Sequence, residues 1–215
     1  MPKLKEKKKE IKPRKEKEQA VPWNWIAGII IVAIIVLIVY FYFFNKPYYE
    51  DKHPARPYLG NPEAKVLVEE FSDFQCPACG QAYVLTKPII EQFKDRIKFE
   101  YKHFPLTSLH PNAFLAAIAS ECALDQNKFW EMYNLLFQNQ QNLGKEGLLN
   151  FAGQLKLNEE LFKNCIESGV KDKYVNADKA EGEKRGVQGT PSFFINGKKL
   201  DNWAQLKSEI EKALQ

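Results

Sequence analysis

Two cysteines separated by two residues, in Cys76-Pro77-Ala78-Cys79, carry the most specific chemistry in the chain. Such a pair either cycles between dithiol and disulfide or supplies half of a metal site. A structural zinc site wants a second close pair of ligands. The other two cysteines, Cys122 and Cys165, are far apart, and His103 and His110 precede a helical stretch where loop or cap roles suit them better. Redox exchange is the reading this inventory favours. The surroundings point the same way: KVLVEEF (65–71) reads as a strand, a turn follows, and a helix starts near Cys76 and runs towards Phe93. Cys76 then lies at a helix N-terminus, where unpaired N–H groups and the helix dipole favour an anion and lower a thiol pKa. Pro77 suits the first turn, since its missing N–H would be unpaired anyway. Cys79, one turn further in, is expected to be shielded and to act as the resolving thiol. A fall of the Cys76 pKa from ~8.5 to ~5 would favour the dithiol by roughly 60 mV.

The elements that position this pair are readable from hydrophobic period. RIKFEYK (96–102) alternates as a second strand. Residues 111–186 are helical in pattern, with an Ala/Ile-rich run at 113–124, then Phe129, Met132, Tyr133, Leu136 and Phe137 at helical spacing, and further stripes through Leu148, Ala152, Phe162 and Ile166. The aromatic stripe suits core packing better than a substrate groove. Residues 192–196 form a short strand, Asn196-Gly197 a hairpin turn and Lys199-Leu200 the start of its return strand. A last helix is capped by Asn202, with Trp203, Leu206, Ile210 and Leu214 on one face. Strand, helix, strand, helical block, hairpin and helix imply an α/β domain with a mixed sheet.

The rest of the chain is an appendage of a different kind. Residues 1–20 hold nine Lys/Arg against four Glu and little else, a solvated basic tail. Residues 21–45 carry no charge, and eleven of the fourteen residues 26–39 are Ile, Val or Leu. Residues 23–44 as a helix would measure ~33 Å, matching a hydrocarbon core of ~30 Å, and the aliphatic residues would favour insertion by roughly 4 kcal/mol. Trp23 and Trp25 at one edge and residues 40–44 at the other resemble interfacial aromatic belts. The run is too long for a cleaved signal peptide and ends without a small-residue cleavage site, so it reads as a single transmembrane signal-anchor. Nine Lys/Arg before it and three after it keep the N-terminus cytoplasmic and the remainder extracytoplasmic, where disulfides persist. Residues 46–61 contain Pro47, Pro54 and Pro57 and read as an extended tether. The remaining residues 62–215 are of single-domain size. They hold 19 Lys/Arg against 21 Asp/Glu, with no basic stripe to follow a phosphate backbone, which argues against nucleic acid.

With these residues in view, the domain at 62–215 resembles the DsbA-like branch of the thioredoxin superfamily. The matching stretches are VLVEEFSDFQCPAC (66–79), KHFPLTSLHPNAFLAAIASECA (102–123), KFWEMYNLLF (128–137) and GVQGTPSFFINGK (186–198). The resemblance implies a thioredoxin fold with an inserted helical subdomain over about 111–186, a cis Thr190–Pro191 bond beside the cysteines, and Thr190 facing substrate. It implies a thiol–disulfide oxidoreductase that needs no cofactor beyond its own redox-active disulfide. Reduced extracytoplasmic clients would be its substrates, and a quinone-linked membrane oxidase would recharge it. Oxidase action is favoured over isomerase or reductase, although Ala78 replaces the histidine of the type member. The alternative is a tethered, non-catalytic module that holds a client or a metal. Glu70, six residues before Cys76, stands where thioredoxin relatives keep a buried proton-relaying acid. Alternation puts Glu70 on one strand face and Glu69 on the other, so a satisfied acid at a strand edge stays open beside the relay role. Cys122 and Cys165 are either a second, structural disulfide or two buried thiols.

Overall fold

The computed structural model describes residues 23–44, 48–52 and 55–215, except for the side chains of Asn24 and residues 42–44. The expected basic tail, residues 1–20, lies outside the described residues. Two units follow, residues 1–45 and residues 46–215. In the first, Trp23–Phe44 is one helix, α1, whose described side chains are almost all exposed. Among the described residues no helix is long and apolar enough to cross a membrane. The described side chains of α1 run unbroken only over residues 25–41.

The second unit is built on five strands: β1 (Tyr58–Gly60), β2 (Val66–Ser72), β3 (Ile97–His103), β4 (Ser192–Ile195) and β5 (Lys198–Lys199), in the order β1-β3-β2-β4-β5. Strands β2 and β3 are parallel, with Glu70 opposite Tyr101 and Ser72 opposite His103, and every other pairing is antiparallel. A parallel pair needs a crossover, which α2 (Pro77–Phe93) supplies. The helical block comprises α3 (Ala113–Leu124), α4 (Phe129–Gln138), α5 (Lys145–Gln154), α6 (Glu159–Ser168) and α7 (Asp172–Lys184). The chain closes with α8 (Leu206–Ala213), which packs with α2 on one sheet face around Val68, Ile90, Phe99, Phe193 and Ile210. Asn202 does cap this end, through Ala204 N–H, but the first turn is a 3-10 turn and the α-helix starts at Leu206. The aromatic residues of α4 go into the core as expected, stacking with Phe74, Tyr83 and Tyr101.

Cys122 on α3 and Cys165 on α6 are joined in a disulfide, their Cα atoms 5.8 Å apart. Closing a loop of 43 residues restricts the unfolded chain. The Cys122→Ala/Cys165→Ala double variant is expected to lose about 2–4 kcal/mol, read as a lower urea midpoint. An unchanged midpoint would contradict the bridge.

The stretch 46–61 departs from the expected extended tether. Its described part packs on the domain, and β1 adds an edge strand to the sheet. Tyr49 donates to Asp125, Asp51 receives Lys171, and Arg56 forms a two-pronged ion pair with buried Asp178. The physical reason is charge: Lys171, Asp125 and Asp178 are buried, and this strap carries their partners. The domain therefore begins before residue 62.

Candidate active site

The C-terminal end of β2 runs into a short turn, and α2 begins one residue after Cys76. Asp73 shapes the turn. Its side chain accepts Gln75 N–H at 2.7 Å and, through the other oxygen, Leu106 N–H and His110 Nδ1, each at 2.8 Å, while its carbonyl accepts Cys76 N–H at 3.1 Å. Gln75 in turn accepts Asn112 N–H at 2.7 Å, tying the turn to the start of α3. His110 thus orders a loop, as expected. His103 instead ends β3 and is buried, with Nε2 3.0 Å from Glu121.

Cys76 is the N-cap of α2, with extended backbone (ψ 123°) and Pro77 behind it. The two cysteines are reduced; 7% of Cys76 and none of Cys79 is exposed. The Cys76 thiol donates to the Thr190 carbonyl at 3.6 Å, and the Thr190–Pro191 bond is cis. A hydrogen bond from the Cys79 thiol does most to lower the Cys76 pKa. Burial opposes it, while the nearby Thr190 side-chain hydroxyl and the N–H groups of Cys79 and Ala78 add to it, and the result is a fall from 9.0 to about 5. Burial, and then the adjacent Cys76, push the Cys79 thiol far above its ordinary range. One sulfur is thus an anion at neutral pH and the other holds its proton. The helix N-terminus contributes as expected, but the second thiol is the stronger cause.

Glu70 and Glu69, adjacent in β2, have opposite fates. Arg185 grips Glu69 with two hydrogen bonds of 2.7 Å and Lys102 adds an ion pair at 3.1 Å, so these partners overcome burial and hold its pKa low. Glu70 is fully buried, and neither of its oxygens has a hydrogen-bond partner within ordinary distance. Burial raises its pKa to about 7, with the nearby Ser72 and Tyr133 hydroxyls easing the anion only partly. Ser72, two residues on along the same strand face, acts on Glu70 and on Cys79 alike. Of the buried polar side-chain atoms without a partner among the described residues, all but His103 Nδ1 belong to Glu70, Ser72, Tyr101 and Thr190. Unsatisfied groups gathered beside a reactive pair mark a working site rather than a stabilising one. Ser72 and Asp73 lie within the matching stretch 66–79 and Tyr133 within the helical stripe, but the sequence assigns none of the three a part in the site, because their type and spacing signal only strand, turn and core.

Among the described residues no group of three or more His, Cys, Asp or Glu is placed to hold a metal. Residues 52–215 match the family model described as thioredoxin. The chain is 37% identical over 147 residues to the Na(+)/H(+) antiporter NhaA 1 of Salinispora arenicola, covering 68% of this chain and 22% of the antiporter. It thus spans less than a quarter of the length of the curated relatives it matches. A solved thioredoxin-like oxidoreductase from Silicibacter pomeroyi is similar at 26% identity and a TM-score of 0.65, over 74% of this chain and 92% of its own. The thiol-disulfide exchange protein alpha-DsbA2 from Wolbachia pipientis shares the fold, with a TM-score of 0.62 at 18% identity over 88% of this chain and 98% of its own. The chain shares its fold with thiol-disulfide oxidoreductases of the DsbA-like type. It belongs to the thioredoxin family, whose DsbA-like members work through a redox-active disulfide and need no cofactor.

Proposed function

We propose that the chain is a membrane-anchored, extracytoplasmic oxidase that introduces disulfides into client proteins through Cys76 and Cys79. The asymmetry of the two thiols carries this reading. A client thiolate attacks Sγ of Cys76 in the oxidised pair, the Cys76–Cys79 bond breaks, and its electrons pass to Cys79. Buried Cys79 must take a proton, and Glu70, a buried acid with its pKa raised to about 7, is the donor; the Ser72 hydroxyl, which acts on both groups, marks their proximity. The client's second thiolate then attacks the client sulfur of the mixed disulfide. Cys76 leaves as a thiolate, and a low pKa makes it a good leaving group. The client has lost two electrons and the enzyme is a dithiol. A quinone-linked membrane oxidase returns it to the disulfide. Client backbone pairs in extended form beside Thr190 and Pro191, a mode that tolerates many sequences.

The charge-free stretch 21–45 anchors the protein. In its support, Ile29, Ile31 and Val32 of α1 are each more than half exposed, a surface that suits lipid better than water. The excess of Lys/Arg in residues 1–20 over residues 46–61 keeps the N-terminus in the cytoplasm. A membrane-impermeant thiol reagent added to intact, reduced cells should label Cys76; protection until lysis would put the domain in the cytosol. A glutathione redox titration of the full-length chain tests the direction. A midpoint near about −120 mV supports an oxidase, and one near about −270 mV would make it a reductase.

Glu70 also sets a pH signature. Its folded pKa is raised above the unfolded value, so its contribution is complete below pH ~4.5 and is lost as pH rises through about 7. Glu70→Gln stays uncharged in the folded and unfolded states. Relative to this variant, the wild type is expected to lose about 3 kcal/mol between those limits, measured by urea unfolding at several pH values. Parallel stability curves would contradict a buried, unpaired Glu70.

A further inference from the structure

Gln140 opens the 3-10 turn Gln140–Asn142 between α4 and α5, in the helical block and 64 residues from Cys76. Its Nε2 donates one hydrogen to the Phe74 carbonyl at 2.8 Å and the other to the Cys76 carbonyl at 2.9 Å. These carbonyls bracket the peptide that delivers Cys76 to the helix. Among the described residues Phe74 O accepts no backbone hydrogen bond, whereas Cys76 O also receives Gly80 N–H at 3.1 Å. Cys76 is thus pinned from its own helix on one side and from the inserted block on the other.

Gly80 explains how the carboxamide reaches this place. A β-carbon built on Gly80 would overlap Oε1 of Gln140. Glycine is a poor residue for the interior of a helix. Here it leaves the hollow in which the carboxamide lies against α2. Apart from the Thr190 hydroxyl, the donors that favour the Cys76 thiolate are fixed to the helix, namely the Cys79 thiol and the N–H groups of Cys79 and Ala78, so the angle at which Cys76 enters decides whether its sulfur meets them.

We infer that Gln140, seated in the hollow at Gly80, is a positioning residue for Cys76: by holding the Phe74 and Cys76 carbonyls it keeps the sulfur on the donors that make it an anion. This rests on the oxidoreductase reading, since it concerns the reactivity of the same sulfur. Gln140 touches no reacting atom.

The test is the thiolate titration and glutathione potential of the reduced full-length chain in wild type, Gln140→Met, Gly80→Ala and the double variant. Methionine keeps the length of Gln140 without its donors. Loss of both hydrogen bonds should raise the Cys76 pKa by about one unit and make the potential more negative by about 30 mV, the equivalent of tenfold. Gly80→Ala should do the same by displacing the carboxamide, although alanine alone favours the helix. In the Gln140→Met background, Gly80→Ala should add nothing. A role in stability alone would lower the urea midpoint and leave pKa and potential in place. The inference is overturned if Gln140→Met and Gly80→Ala both keep the wild-type pKa and potential while wild type titrates near pH 5. Titration of the wild-type sulfur near pH 9 would overturn the oxidoreductase reading itself, and this inference with it.

Discussion

Cys76→Ala is expected to oxidise a reduced client no faster than buffer does. Without this sulfur no disulfide can form within the pair, and Cys79, with none of its surface exposed, cannot meet a client thiol in its place. Cys79→Ala should fail differently. It removes the donor that does most to lower the Cys76 pKa and the partner of the intramolecular disulfide. Once glutathione disulfide has capped Cys76, a client thiolate displaces glutathione; with a single-thiol client no second thiol releases the adduct, so adducts should accumulate and vanish on reduction. Measuring both variants by oxidative refolding and by non-reducing electrophoresis separates the two roles. Equal adduct formation in the two variants would contradict the assignment of Cys76 as the attacked sulfur.

The second large effect lies away from the cysteines. Lys171 has no exposed surface and sits between Asp51 and Asp125, with its Nζ 2.7 Å from an oxygen of each. Asp125 is equally buried and among the described residues otherwise meets Tyr49 and Lys52 of the strap, and Asp51 is held as well by Tyr174 and Lys173. Removing one partner of a buried pair leaves the other charge uncompensated, which costs about 3–5 kcal/mol. Lys171→Met should therefore lower the urea midpoint by that equivalent and make the strap at residues 48–60 accessible to protease. A loss below about 1 kcal/mol would mean that water already serves these carboxylates. The same network predicts that a chain beginning at residue 62, which lacks Tyr49, Asp51, Arg56 and β1, is less stable than one that keeps the strap.

What could be read in advance was local. Alternation in β2 and β3, the Pro77 start of α2, the Asn196-Gly197 turn and the periodicity of the helical block are set by residues a few positions apart, and the elements form where those patterns lie. What could not be read depends on partners far along the chain. Alternation puts Glu69 and Glu70 on opposite faces but does not say which finds a counter-charge; Arg185, 116 residues from Glu69, neutralises that acid, and among the described residues Glu70 has no such partner. Strand β1 has three residues and no period, and it exists because β3 offers it an edge. Cys122 and Cys165 permitted a bridge or two thiols until the packing of α3 on α6 set their separation. Gln140 has no motif at all: its importance comes from the missing side chain of Gly80 on another helix.

The most direct measurement is a pH titration of the ultraviolet thiolate absorbance of the reduced, full-length protein, with Cys76→Ala as the blank. The account predicts one thiolate appearing with a midpoint at about 5 and no second one from Cys79 up to the alkaline limit of the folded protein. A midpoint near 9.0, that of an ordinary thiol, would contradict it.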